Sequence, residues 1–572
     1  MPRSRLYPVL VALFVGTSGV YGSAVAAAED AGAYLAARAA VQDGDYRAAS
    51  DWFDRALAAD GKNRQLLEGL VAARMGLGDV DRAEETAKKL VALGGKSQIS
   101  DFALLAAEAG REDYEAILKA QTDGRRMGDL LDRLVAAWAQ IGAGRMSEAL
   151  DEFDAIAKKP GMEAFGLYHK ALALGLAGDF EGADAILSGT AEGPIQLTKT
   201  GVFAHAQILS QLERNADAIA LLDSRLGKEP DPVADELRAR LAAGEPVPFD
   251  SVRSAKDGLA EVFFTMANAL SGEAAVGYTY LHARIAMYLN PRHHDAILLS
   301  AGLLETQGQH EFAAETFGLI PKEDSAYPIA EIGRADSLFR ADRKDDAVAA
   351  LRALAKTHGG FFIVQSSLGD AMRRTERFAE CVTAYDAAAA LVPKIEARHW
   401  VLFYSRGVCY ERQAMWEPAE ADLRKALELN PDQPQVLNYL GYSFVDRGEN
   451  LDEALGMIQR AVTAEPDSGY IVDSLAWALF RMGRHAEALP PMERASLLEP
   501  VDPVVTDHLG DVYWAVGRVR EAEFQWRRAL SLDPAEKDAI RIRQKLEIGL
   551  DAVMADEGAK PLNADDAVPI DN

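Results

Sequence analysis

Apolar residues recur at i, i+3, i+4 and i+7 along nearly the whole chain, and no strand-like alternation of useful length interrupts them. Toward the C-terminus this helical pattern becomes a repeated sentence of about 34 residues, with copies at 400–433, 434–468, 469–502 and 503–537. In register, a small residue recurs at Gly407, Gly441, Ala476 and Gly510, and a large one at Tyr410, Phe444, Leu479 and Tyr513. Alanines follow at 419, 454, 488 and 522 and again at 426, 461, 495 and 529, and prolines close the copies at 431, 466, 500 and 534. A small residue where a second antiparallel helix must approach, an alanine facing it and a proline ending the pair predict short helical hairpins. Such hairpins bury their apolar faces only by stacking.

Fainter copies of the same sentence precede these, marked by a turn and an alanine at Asp45/Ala49, Asp79/Ala83, Met146/Ala149, Phe180/Ala183, Asn215/Ala218, His310/Ala313 and Lys344/Ala347. Another runs from Leu259 to Pro291, and one more leads to Cys381, Tyr385 and Pro393. The fold expected is all-α, a helical-hairpin solenoid of roughly fourteen repeats in two segments. The segments expected are 29–232 and 260–536, with a proline-rich joint at 233–259 where Pro246 and Pro248 break the pattern. Residues 537–550 read as a capping helix whose apolar side is Ile540, Ile542, Leu546 and Leu550, and 551–572 as a disordered acidic tail. A repeat array grows in one dimension, so 572 residues need not imply several globular cores.

The four C-terminal copies closely resemble the tetratricopeptide repeat (TPR) family, matching its small, aromatic, Ala, Ala and Pro positions. The resemblance implies that the first helix of each hairpin lines a concave groove through its second, fifth, ninth and twelfth positions. Carried onto this chain, those positions hold Tyr470 in the second row, and Tyr404, Asn438, Asp473 and Asp507 in the fifth. The ninth row is Val408, Tyr442, Trp477 and Asp511, and the twelfth is Glu411, Val445, Phe480 and Trp514. Rings beside Asn and Asp side chains suit an extended peptide, with apolar side chains on the rings and cations on the carboxylates. Asp473, Asp507 and Asp511 stand where a carboxylate clamp needs cations, so a ligand held by its C-terminal carboxylate is disfavoured.

Arg3 and Arg5, an apolar run over 6–20 and the small residues from Ser23 to Ala28 have the order of a secretory signal peptide, predicted to be removed as residues 1–28. No cysteine follows that run, so an N-terminal lipid anchor is not expected, and the chain is expected to work in the periplasm. The two cysteines, Cys381 and Cys409, fall on neighbouring hairpins at positions for small buried residues; buried thiols are the favoured reading and a disulfide the other. A net charge of −27 argues against nucleic acid and against an anionic membrane surface. Phosphate-loop, zinc and nucleophile-elbow motifs are absent from the sequence, so no enzyme activity, cofactor or metal is expected. His293-His294-Asp295 follows a proline and reads as a solvated turn. Asp345-Asp346 and Asp565-Asp566 read as solvated charges.

The segment from Gly441 to Ala454 and the run from Asp473 to Gly483 look like those of envelope TPR adaptors, which bind carboxyl-terminal processing proteases and present cell-wall hydrolases to them. The resemblance implies a non-catalytic scaffold with a protein or peptide partner, such as an envelope protease and its substrates. The competing class is an assembly component of outer-membrane export or envelope polysaccharide machinery, acting through the convex face or edges.

Overall fold

The computed structural model describes residues 21–191, 195–227 and 231–558, which hold 31 α-helices, one short 3-10 helix and no strand. Consecutive helices pair into fourteen hairpins, leaving Pro232–Ala242, Glu536–Ile548 and Leu550–Asp556 outside the pairing. The helical-hairpin solenoid and its repeat number agree with the sequence pattern. Most of the expected leader, residues 1–20, lies outside the described residues, as do Asp565, Asp566 and the rest of 559–572. The start of the expected tail is helical instead, because Leu550 and Val553 bury against the last repeats.

The chain divides into two compact units, residues 1–358 and 359–572. In the first unit the proline-rich stretch is a packed wall. Gln207 accepts hydrogen bonds from the Asp250 and Ser251 amides, both at 3.1 Å, and Gln211 donates to the Val247 carbonyl at 2.6 Å. Ser254 then caps the helix Ala255–Leu270, whose run from Gly258 to Phe264 is buried without interruption. Both faces are covered because this helix and its partner Val276–Leu289 pack on helices from much earlier hairpins. A Cβ on Gly258 would come within 2.1 Å of the Trp138 ring. Phe263 meets Phe102 edge to face, and Tyr280 stacks on Tyr46 and donates to the Gly76 carbonyl at 2.9 Å. The first unit therefore departs from the one-dimensional array expected, since one continuous core runs from Val71 to Ala330.

The turn at His293 also differs from expectation. Its Nδ1 accepts from the Ala296 amide, capping the helix His294–Thr306, and its Nε2 donates to Glu261 at 3.0 Å. These two bonds hold the imidazole against the Phe264 ring at 4.5 Å, burying a side chain that a turn after Pro291 was expected to leave in water. Among the described residues, no group of His, Cys, Asp and Glu could hold a metal ion, and no helix is long and apolar enough to cross a membrane. Asp345 and Asp346 lie in the exposed first turn of the helix Lys344–His358.

The second unit stacks five hairpins in the predicted register. A Cβ on Gly441 would meet Ile458 at 2.8 Å and the Ala454 carbonyl at 3.1 Å, and one on Gly510 would meet Trp526 at 2.4 Å. The small positions thus admit the second helix, as their spacing required. Between the two helices of a hairpin the chain passes through left-handed backbone, at Gly483 (φ 76°) and Gly517 (φ 82°), and at Ala414 (φ 58°) where glycine is missing. Successive hairpins are stapled by an arginine before the closing alanine: Arg460 donates to the Pro431 carbonyl at 2.6 Å, Arg494 to Pro466 at 2.7 Å, and Arg528 to Pro500. Cys381 and Cys409 are joined as a disulfide between the helices Phe378–Ala390 and Trp400–Glu411, against the thiol reading. Their Cα atoms are 6.3 Å apart, within bridging distance because the two small positions face each other across neighbouring hairpins.

Candidate peptide-binding groove

The groove residues expected from the repeat register do not share one environment. Their burial increases toward the C-terminus. Tyr404, Asn438 and Tyr442 are half-buried, whereas Asp473, Trp477, Phe480, Asp507 and Asp511 are buried and Trp514 is partly covered. At the last repeat the cause is the helix Glu536–Ile548, which lies in the groove over Asp507 and Asp511. Ala539, Ile542 and Lys545 bury there, spaced to share one helical face, and Leu550 buries at the start of the next helix, while Ile540 falls off that face and is 49% exposed.

Lys545 carries the contact. Its Nζ donates to both carboxylates of the last repeat, at 2.8 and 2.9 Å to Asp507 and 2.6 and 2.8 Å to Asp511, with its side chain fully enclosed. Asp511 also accepts from Trp526 Nε1 at 2.9 Å and lies 3.4 Å from Arg541. Trp514 Nε1 donates to Asp551 at 2.8 Å. Burial and the neighbouring Asp511 charge raise the Asp507 pKa, against the pull of Lys545. The acidic pair therefore holds a cation, as its chemistry suggested, but the cation belongs to the chain itself.

One repeat earlier, Asp473 holds His508 Nδ1 at 3.0 Å from each oxygen, and the Trp477 ring stacks on that imidazole at 4.0 Å and on Phe480 at 4.8 Å. Burial pushes the His508 pKa down, but Asp473, Asp507 and Asp511 together hold it above the ordinary value. Trp477 and Phe480, expected to face water, thus pack between repeats. Farther up, Tyr442 is pushed up to about 12, chiefly by burial and next by Asp473, with Asp538 of the C-terminal helix among the contributing charges.

The second row remains open. Val401, Gln435, Tyr470 and Val504, one from each copy, are all exposed, Tyr470 at 52%. Of these only Tyr470 was singled out by its aromatic ring; the aliphatic members were legible from the register alone. Beside this row, Tyr404 and Tyr439 meet edge to face at 5.9 Å, and Tyr439 donates to Glu411 at 2.8 Å. Asn438 Oδ1 is buried without a hydrogen-bond partner, an acceptor whose desolvation costs about 1–3 kcal/mol until a donor reaches it.

The Tetratricopeptide repeat family matches residues 34–97, 332–394 and 404–469. A TPR repeat-containing protein of Pseudomonas aeruginosa is 28% identical over 161 residues, which cover 28% of this chain and 26% of that protein. Among solved structures, a tetratricopeptide repeat protein from Parabacteroides merdae is 16% identical with a TM-score of 0.37, covering 45% of this chain and 98% of that one. The yeast Tom70 structure is 14% identical with a TM-score of 0.34, covering 94% and 97%. In its matched segments, its in-phase C-terminal copies and its stacked hairpins, the chain is similar to tetratricopeptide-repeat proteins.

Proposed function

We propose that the chain is a non-catalytic scaffold whose C-terminal unit holds an extended protein segment along the open second row of its groove. The observation that carries this reading is the exposed line of Val401, Gln435, Tyr470 and Val504 beside the half-open Tyr404, Asn438 and Tyr442. Apolar and aromatic groups there would take a ligand's side chains, and the unpaired Asn438 oxygen would take one of its N–H groups. The leader pattern of residues 1–28 and the paired cysteines suit an oxidising compartment, and on this reading the chain works in the periplasm. The role proposed there is that of an adaptor in cell-envelope turnover, bringing hydrolase substrates to a carboxyl-terminal processing protease.

Affinity purification of the full chain from its native envelope, followed by mass spectrometry, tests this. A protease and cell-wall hydrolases should be recovered with the wild type and lost with a Tyr470→Asp, Val504→Asp double variant. Recovery of export or polysaccharide machinery alone, unaffected by the double variant, would overturn the adaptor role and favour partners on the outer helices, where Leu497 and Phe524 are exposed.

A further inference from the structure

The first unit contains a cleft of about 490 Å³, within the range of ligand-binding clefts, formed where the proline-rich wall faces the His293 turn. Its wall is preformed: Gln207, Ser210 and Gln211 fix the extended backbone from Val247 to Ser251. In the lining lies Glu261, only 4% exposed. Its two oxygens accept from Tyr168 OH at 2.9 Å and His293 Nε2 at 3.0 Å. His293 Nδ1 lies 3.3 Å from the Ala296 amide, which turns its Nε2 toward Glu261.

A buried carboxylate held by a phenol and an imidazole, with no lysine or arginine on it, keeps its demand for a cation. The remaining lining has the same sign, with six further carboxylates against three guanidinium groups. Two of those three are already engaged, Arg253 with Asp250 at 2.8 Å and Arg240 with Glu245 at 3.3 Å. His294 lies 3.6 Å from Asp324 and 3.8 Å from Asp295 and faces these two carboxylates, leaving Glu236, Glu261 and Glu323 to the cleft. Between the charges the walls are apolar, through Phe203, Leu237, Ile297 and Ile320.

We propose that this cleft is a second binding site, separate from the C-terminal groove, for a peptide segment that carries a lysine or arginine between apolar side chains. The aliphatic neighbours rest on Phe203, Leu237 and Ile320, and the cation faces Glu261 with Glu236 and Glu323 at the rim. A solenoid with such a site in each unit holds two different ligands on one chain.

The test is isothermal titration of the full chain with acetyl-Leu-Arg-Leu-amide and with acetyl-Leu-Glu-Leu-amide. The basic peptide should bind once per chain and the acidic one should not. Glu236 and Glu323 are exposed, so a Glu236→Gln, Glu323→Gln variant should melt like the wild type while binding the basic peptide about tenfold more weakly. Tyr470→Asp should leave that affinity unchanged. Absence of binding by the basic peptide, equal binding of both, wild-type affinity in the double variant, or loss of binding in Tyr470→Asp would each overturn the proposal.

Discussion

At the scale of single residues, the second unit compensates its enclosed carboxylates internally. Lys545 compensates two enclosed carboxylates, so Lys545→Met should cost about 3–5 kcal/mol by leaving Asp507 and Asp511 without their cation. Adding Asp507→Asn and Asp511→Asn should recover part of that loss; urea unfolding of the three proteins checks both steps. What could be read from sequence here was the part that repeats. Gly407, Gly441 and Gly510 could be assigned because their period demanded close helix approach, and a Cβ at each would indeed meet the second helix. The fate of Asp507 and Asp511 was not legible in the same way. Their acidity announced a cation, but Lys545 sits on a helix outside the repeat, whose docking direction no period specifies.

At the scale of elements, two features tie the second unit together at its ends. At the start, the Cys381–Cys409 bridge closes a loop with a sequence separation of 28. By its effect on the unfolded chain, a loop of that length is worth about 3–4 kcal/mol. Reduction should lower the melting temperature of the second unit, and alkylation with and without reductant, read by mass, should find no free thiol in the untreated chain. Sequence placed both cysteines at small buried positions on adjoining hairpins, but burial alone does not separate two thiols in contact from a bond. At the other end, the helix Glu536–Ile548 was legible as a cap from its apolar spacing, though not as one lying in the groove. That placement turned Asp507 and Asp511 from ligand contacts into packing, as His508 did for Trp477, and left the second row as the accessible surface.

At the scale of the whole molecule, the two units should answer pH in opposite senses. In the first, burial drives the His169 pKa down to about 3 and lowers those of His205 and His282. Below the ordinary histidine pKa near 6.5 the unfolded chain takes up protons that these folded imidazoles refuse, so stability falls as pH falls. For His169 alone the loss is about 2 kcal/mol by pH 5. His294, which burial pushes down but Asp324 and Asp295 pull up further, offsets one of the three. In the second unit His508 and Asp507 have raised values, so their contribution is present at low pH and is lost as pH rises through those folded values. Hydrogen exchange resolved by peptide and corrected for intrinsic rate should show less protection in residues 31–358 and more in 359–558 on moving from about pH 8 to about pH 5.5. A uniform response across both units would contradict these assignments.

The hairpin Ala255–Leu289 in the first unit also bears on how such a chain can change over generations. Solenoids commonly gain or lose whole repeats, because each touches only its neighbours and the array closes up behind a deletion. Tyr280 donates to Gly76 across 204 positions of sequence, and Arg284 donates to Leu77 at 2.6 Å across 207. Removing or adding one repeat between them would carry those partners apart, leaving Trp138 and Phe102 without the helix that covers them. Repeat number in the first unit is therefore locked by its long-range contacts, while the second unit stays free to lengthen in its middle.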